Sequence, residues 1–467
     1  MQNPFEIKGY WWLPELEEIK LPGILTFSQE DGASLEIVGV FDLKKPEPIK
    51  QPSIILGVTQ QGKPITLYKC VVTAWTYPIV GLGSGGGRYR AHFVFEGVHF
   101  TQDKKIKFNK LCGSYTDLDA WVGIYGFDIN WDNSDEKVIT NIRYEKPKSL
   151  FFDIGEDFEV GINFSSQGPK KSIIQTEATI TQQAYLFVKS KNSEIGFEDM
   201  FVKLNTFTYL VQFAIQRIPY PLRVFGFSKE NQEELSEDKF FYPEINIYYA
   251  PVEPITNQKE KLPQEFLYTF KDLSANQISL WFTSFQKHET IIHLYRSLFY
   301  SNRLFIDTKF LYITQSLESL HSALFNGQYL PHDKFVEQKE RALQGIPSEL
   351  SEWVEDALSN ANYKRLRQKL FELFENKKDI IEQFVDDIEL FAKRVTSTRN
   401  EFVHHSKQKW TFQKEELPSA IYKLTMVFEM YLLEIIGFSS EQIIDLLEPK
   451  LKTHLTGWKH LRTKRKS

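Results

Sequence analysis

Hydrophobic and polar positions alternate along the first 130 residues of the chain. Runs at 24–27 and 35–41 flank the turn pair Asp31-Gly32, and Leu35, Ile37, Gly39 and Phe41 fall on one face. Runs at 54–58 and 65–68 flank Gln61-Gly62 in the same way. Tyr89, Ala91, Phe93 and Phe95 then share a face, with Arg90 and His92 opposite. Period-two runs joined by short turns predict an antiparallel sheet system, a sandwich or barrel. Further strands are expected at 178–188 and around Ile245, Ile247 and Tyr249. Between them Phe197, Met200, Phe201, Leu204, Phe207, Leu210, Val211 and Ala214 recur at helical spacing, closed by Pro219 and Pro221, which predicts a helix packed on the sheet.

After position 250 the period changes to 3.6 and stays there. Residues 251–263 hold Pro251, Pro254 and Pro263 among polar and charged residues, the composition of a linker. Helical runs follow at 264–300, 306–325, 333–345, 348–375, 377–405, 417–436 and 439–448. Gly437 is placed to end one helix, Ser439 with Gln442 forms a capping box for the next, and Pro449 is expected to stop it. The chain therefore reads as a two-part α+β protein. A β-rich region spans 1–250, with two subdomains at about 1–140 and 141–250 left open; a linker spans 251–263 and an all-α region 264–467. No internal repeat is present.

Composition adds bounds to this picture. Apolar residues make up 42% and charged residues 25%, enough for more than one core without disulfide or metal staples. Lys and Arg total 56 against 61 Asp and Glu, a net charge of −5, which excludes a generally polybasic binder. A local basic site remains: from Lys450 on the chain carries Lys450, Lys452, Lys459, Arg462, Lys464, Arg465 and Lys466 with no acidic residue. A solvated end and a phosphate-binding surface both fit that tail. Two cysteines, Cys70 and Cys112, suit a reducing compartment. The first residues lack the basic and apolar regions of a signal peptide. The apolar stretch 420–438 is broken by Lys423, Glu429 and Glu434. A cytoplasmic protein without a membrane partner is expected.

Most local motifs carry no chemistry. Gly81-Leu82-Gly83-Ser84-Gly85-Gly86 matches a dinucleotide-binding pattern, but a strand follows it where a helix N-terminus is needed, so it is expected to be a hairpin loop. Asp128, Asn130, Asp132 and Asn133 begin like a calcium loop yet lack Gly and Glu at the required places, and a solvated turn is expected. His92 and His99 are placed on opposite faces of a strand, and no Cys or His spacing resembles a zinc site. Nothing calls for a metal or a cofactor.

The informative stretch is Thr396-Ser397-Thr398-Arg399-Asn400-Glu401-Phe402-Val403-His404-His405. It ends a helix whose apolar stripe is Ile381, Phe384, Ile388, Phe391 and Val395, and Arg399 is expected to extend that stripe. A guanidinium so placed must meet an anion, a carboxylate or a partner surface. The C-terminal turn of a helix favours cations. The spacing alone is weak: with 14 Arg and 10 His in 467 residues, roughly 0.3 Arg-x4-His pairs arise by chance. A helix-end arginine beside two surface histidines fits the same letters.

Arg399-Asn400-Glu401-Phe402-Val403-His404, closing a long helix in an all-α region, resembles the ribonuclease motif of HEPN domains. Phe310-Leu311-Tyr312-Ile313-Thr314-Gln315-Ser316-Leu317-Glu318 resembles the helix that precedes it in one subgroup. Gly9-Tyr10-Trp11-Trp12-Leu13-Pro14 and Pro22-Gly23-Ile24-Leu25 look like the opening of the β-rich domain of ApeA-type antiphage proteins; Gly97-Val98-His99-Phe100 and Leu118-Asp119-Ala120-Trp121 fit it too. The resemblance implies a HEPN helical bundle behind a sensing β domain, acting as an abortive-infection ribonuclease on RNA, with tRNA a leading candidate. It implies a phage-derived trigger, expected to be a protein, at the N-terminal region, and a homodimer or higher oligomer. It selects Arg399, Asn400 and His404 as catalytic, with His405 auxiliary.

The chemistry suits these residue types. RNA is cut without metal when its own 2′-OH attacks the adjacent phosphorus, which needs a proton acceptor, a proton donor and positive charge on the phosphate. Histidine exchanges protons near neutral pH, and arginine offers bidentate charge to phosphate oxygens. Asn400 is placed to hold the imidazole or contact phosphate. Beside such a site, Lys459, Arg462, Lys464 and Arg465 read as RNA-binding. In an unbroken helix Arg399 and His404 point about 140° apart, so two copies across a two-fold are expected to complete one cleft. The alternative is a non-catalytic HEPN module for RNA binding or dimerisation, coupled to a β domain that senses a ligand or protein. In a third arrangement the β half binds a small ligand under a mobile glycine loop at 81–87.

Overall fold

The alternating runs close into a barrel. β1 (Phe5–Trp12), β2 (Leu21–Ser28), β3 (Gly32–Val38), β4 (Ile54–Thr59), β5 (Pro64–Thr76) and β6 (Gly86–Glu96) pair antiparallel in the order β6-β3-β2-β1-β4-β5, and β5 pairs with β6 to complete the ring. Closure leaves these six strands without an open edge. The inward positions, among them Leu25, Phe27, Leu35, Ile37, Ile65 and Leu67, pack around Trp11 in one buried cluster. A Cβ at Gly57 would fall 2.2 Å from the Trp11 ring, so the indole lies against bare backbone.

The computed structural model describes residues 2–41, 52–76, 85–134, 137–169, 178–236, 239–251, 259, 261–300, 304–404 and 408–464, with backbone alone at 132–134, 137–139, 235, 239 and 453–464. These fall into two units, Met1–Phe282 and Thr283–Ser467.

In the first unit the sheet continues beyond β6 through Ile245–Tyr248, Pro221–Phe227, Lys110–Tyr115, Thr181–Ser190, Phe158–Gln167 and Leu150–Ile154, a 12-stranded whole. Short α1 (Leu118–Val122) and long α2 (Phe197–Ile215) accompany it, α2 burying Met200, Leu204, Phe207, Leu210, Val211 and Ala214. Left-handed Gln216 ends α2, so Pro219 and Pro221 follow a helix already stopped. One sheet crosses position 140, since Lys110–Tyr115 pairs with Thr181–Ser190, and no subdomain break appears there. The unit also runs past the expected linker. Tyr268 donates to the Leu210 carbonyl at 2.9 Å and Trp281 to that of Thr206 at 2.7 Å, binding the segment up to Phe282 to α2. Of the linker itself, 252–258 and 260 lie outside the described residues. α3 (Ala275–Arg296), with non-helical backbone at His288, replaces the longer helix expected from 264.

Three motif expectations are corrected or located. Asp128 and its neighbours form no turn: Phe127–Ser134 is a strand, paired with Lys137–Tyr144 in a two-stranded ribbon. Register puts Ile129 opposite Ile142 on one face, with Trp131 two residues on, and these are 50%, 50% and 70% exposed. Trp11, Trp12 and Trp121, in contrast, are core. His99 lies past the end of β6, bonded to the Gly57 carbonyl at 2.7 Å, so it does not share a strand with His92. Gly81–Ser84 lie outside the described residues, and the strand β6 follows them as expected.

The second unit is helical: α4 (Ile306–Leu324), α5 (His332–Leu343), α6 (Ser348–Leu358), α7 (Leu366–Asn376), α8 (Lys378–Ile381), α9 (Ile388–His404), α10 (Leu417–Ile436) and α11 (Ser440–Lys464). α10 is its most buried element; Leu424, Val427, Met430 and Leu433 lie wholly inside. The fold is thus the expected β-rich region followed by a helical bundle. Two long helices are broken, however. The run 348–375 splits where Asn362 bonds both the amide and the carbonyl of Leu330, at 2.9 Å each. The run 377–405 splits because the Asp387 carboxylate accepts from Leu390 N at 2.8 Å and starts α9 afresh. Gly437 and the Ser439–Gln442 capping box stand as expected. Pro449 does not end α11. Leu447 and Leu451 are buried on either side of it, and Lys450 is fixed by its 2.7 Å bridge to the buried Glu429 carboxylate and by Tyr422 bonding its carbonyl. Tertiary anchors outweigh the single backbone bond that proline removes. Among the described residues no helix is long and apolar enough to cross a membrane.

Candidate active site

α9 carries the motif, and its burial follows from its sequence. Ile388, Phe391, Ala392, Val395 and Thr398 are its buried positions. The stripe passes to Thr398, three residues after Val395, and not to Arg399, four after it. Arg399 is therefore at the flank, partly buried, which corrects the expectation that it extends the apolar face. Thr398 is a junction: its hydroxyl donates to the Arg394 carbonyl at 2.9 Å and accepts from Phe412 N at 2.9 Å. That bond ties the segment after the motif back along the helix. Phe412 packs on Phe310, Phe391 and the Arg394 guanidinium, and Phe402 meets Phe310 edge-on. Phe310 of α4, singled out in the sequence, thus braces the motif.

The two arginines of α9 differ. Arg394 is 2.6 Å from the Glu416 carboxylate and also bonds the Thr411 carbonyl. Arg399 donates to Asn400 Oδ1 at 3.3 Å and, among the described residues, has no carboxylate partner. The required anion is not supplied by the described part of this chain. His404 is the last residue of α9 and exposed. α9 is unbroken from Arg399 to His404, so the two side chains leave it about 140° apart and about 7.5 Å along the axis. The structure brings Arg399 and Asn400 together; His404 shares a helix face with Asn400 one turn on, but is not brought to Arg399 within one chain. His405 and Arg465 lie outside the described residues; Lys459, Arg462 and Lys464 are on α11 with backbone alone described. Sequence reasoning missed Lys393 and Trp410, whose ammonium and ring stand 4.2 Å apart. Trp410 follows the motif in sequence, but its exposure was not legible there.

Two family models match the chain. The family model described as ApeA N-terminal domain 1 matches residues 6–281, and the one described as Apea-like HEPN matches residues 311–442. The second range includes Arg399, Asn400 and His404 and stops before the basic tail. No curated protein and no solved structure matches the chain. The β-rich half thus carries an ApeA N-terminal domain and the helical half an antiphage HEPN-type module, the HEPN class being generally one of ribonucleases.

Proposed function

The chain belongs to the ApeA family, and from that premise we propose that it is a metal-independent endoribonuclease of antiphage defence, with Arg399, Asn400 and His404 as its catalytic residues. One observation carries this: at the end of α9, inside the HEPN match, a guanidinium without a carboxylate partner among the described residues lies five residues from an exposed imidazole. Arg399 neutralises the phosphate, Asn400 orients the guanidinium, and His404 moves the proton as the 2′-OH attacks phosphorus. The products are a 2′,3′-cyclic phosphate and a 5′-hydroxyl, and DNA, lacking the nucleophile, resists. tRNA is the proposed substrate. The 140° divergence supports a homodimer in which two motifs face one cleft. The N-terminal region takes a phage protein as trigger, supported by the exposed apolar face of the 127–144 ribbon. His405 assists in part, and Lys459, Arg462, Lys464 and Arg465 hold RNA by charge. The protein works in the cytoplasm.

The divergence of Arg399 and His404 also favours a second reading, a non-catalytic HEPN module that binds RNA or dimerises. The test is purified protein with infected-cell extract and labelled tRNA. Cyclic-phosphate ends made by wild type and lost in His404→Ala support catalysis. Binding without new ends in both would sink it.

A further inference from the structure

Resting on the reading above, we propose that Trp410 and Lys393 form a nucleobase-stacking subsite that takes an unpaired base of the RNA, a few nucleotides from the phosphate at Arg399 and His404. Lys393 precedes Asn400 by seven residues and His404 by eleven. Those steps are within about 20° of whole turns, so the three side chains leave α9 in one direction, about 10 Å and 16 Å apart along its axis. The Lys393 ammonium lies 4.2 Å from the centre of the Trp410 ring. Lys393 makes no ion pair among the described residues, whereas Arg394 beside it is paired with Glu416.

Trp410 is 46% exposed, whereas the partly buried Phe412 two residues later packs on Phe310 and Phe391. A large ring left half in water next to this helix contributes little to the core, and an exposed cation–π contact adds little more. Its position suits a different task. Bases splayed from single-stranded RNA stack on indole faces, and a lysine at the ring meets the adjoining phosphate. Stacked duplex bases present no free face, so this subsite selects loops over stems. It also supplies what the catalytic residues lack, since arginine and histidine contact the backbone and read no base.

The experiment uses the full chain carrying His404→Ala, which prevents cleavage, and a stem–loop RNA with one abasic loop position at a time. Binding is measured with and without Trp410→Ala, Trp410→Phe and Lys393→Gln. One loop position should weaken binding about ten-fold or more when abasic, and that loss should vanish in Trp410→Ala. Trp410→Phe should keep most of the position dependence, and Lys393→Gln should weaken binding at low salt. The same abasic profile with and without Trp410, or no binding of the stem–loop, overturns the subsite. Cleavage by wild type is scored separately. A position-dependent Trp410 effect in a protein that never cuts RNA keeps the subsite and discards catalysis.

Discussion

Arg394 and Arg399 sit five residues apart on one helix and are built into opposite surroundings. Around Arg394 the fold supplies everything a guanidinium needs: Glu416 at 2.6 Å, the Thr411 carbonyl, and the Phe412 ring 4.3 Å away. Around Arg399 the described residues supply one amide oxygen at 3.3 Å. A charge that is paired and covered holds a structure together, while a charge held in place and left unneutralised is available to an outside anion. The same residue type thus marks architecture at one turn and, in the proposed reading, chemistry at the next.

The largest effect expected from this contrast is on cleavage. Arg399→Ala and His404→Ala should each lower kcat/KM at least about 100-fold, because in the proposed reading each removes a group acting on the phosphate or the proton. Single-turnover cleavage of the RNA checks it. Arg394→Ala should retain activity within a few-fold once its stability loss is allowed for. If Arg394→Ala is as dead as Arg399→Ala while folded, the contrast fails.

Stability should show the reverse order. Arg394→Ala loses packing on Phe412 and leaves Glu416 without this ion pair, a cost of about 1–2 kcal/mol for a partly exposed pair. Arg399→Ala should stay within about 0.5 kcal/mol of wild type. Urea midpoints at pH 7.5 measure both. A larger loss for Arg399→Ala would make it the structural arginine.

How much of this was written in the sequence depends on the range of the interaction. Leu35, Ile37 and their partners announced the barrel strands because burial of one sheet face imposes period two. Ile388, Phe391 and Val395 announced α9 in the same way, and Gly437 with Ser439 and Gln442 announced the next junction through local caps. The helix breaks at Asn362 and Asp387 were missed: one depends on a bond to Leu330, 32 residues away, and the other on a carboxylate that only a frayed turn exposes as a cap. Pro449 misled for a related reason, since the Lys450–Glu429 bridge that carries α11 past it is tertiary. The motif letters at 399–404 were legible, but the flank position of Arg399 came from the exact drift of a buried stripe. Trp131 and Trp410 were illegible because the sequence does not distinguish an exposed indole from the buried Trp11 or Trp121.

A third charged cluster sharpens the contrast with the smallest effect, through pH. His321 on α4 is wholly buried, its ring nitrogen 2.7 Å from the Glu372 carboxylate, which Lys364 also holds at 2.9 Å. Burial pushes the His321 imidazole below its ordinary 6.5, with the Glu372 bond pulling the other way and Lys364 and Lys369 adding to the downward shift. Its folded form therefore resists protonation more than the unfolded chain does. Above about pH 6.5 both states are neutral at this site and nothing is lost; as pH falls below that value the unfolded chain takes the proton first, and stability declines. The urea midpoint of wild type should thus fall between pH 7.5 and 5.5 by more than that of His321→Gln, which keeps a hydrogen-bonding side chain but does not titrate. Equal slopes would mean that the Glu372 contact cancels the effect of burial at His321.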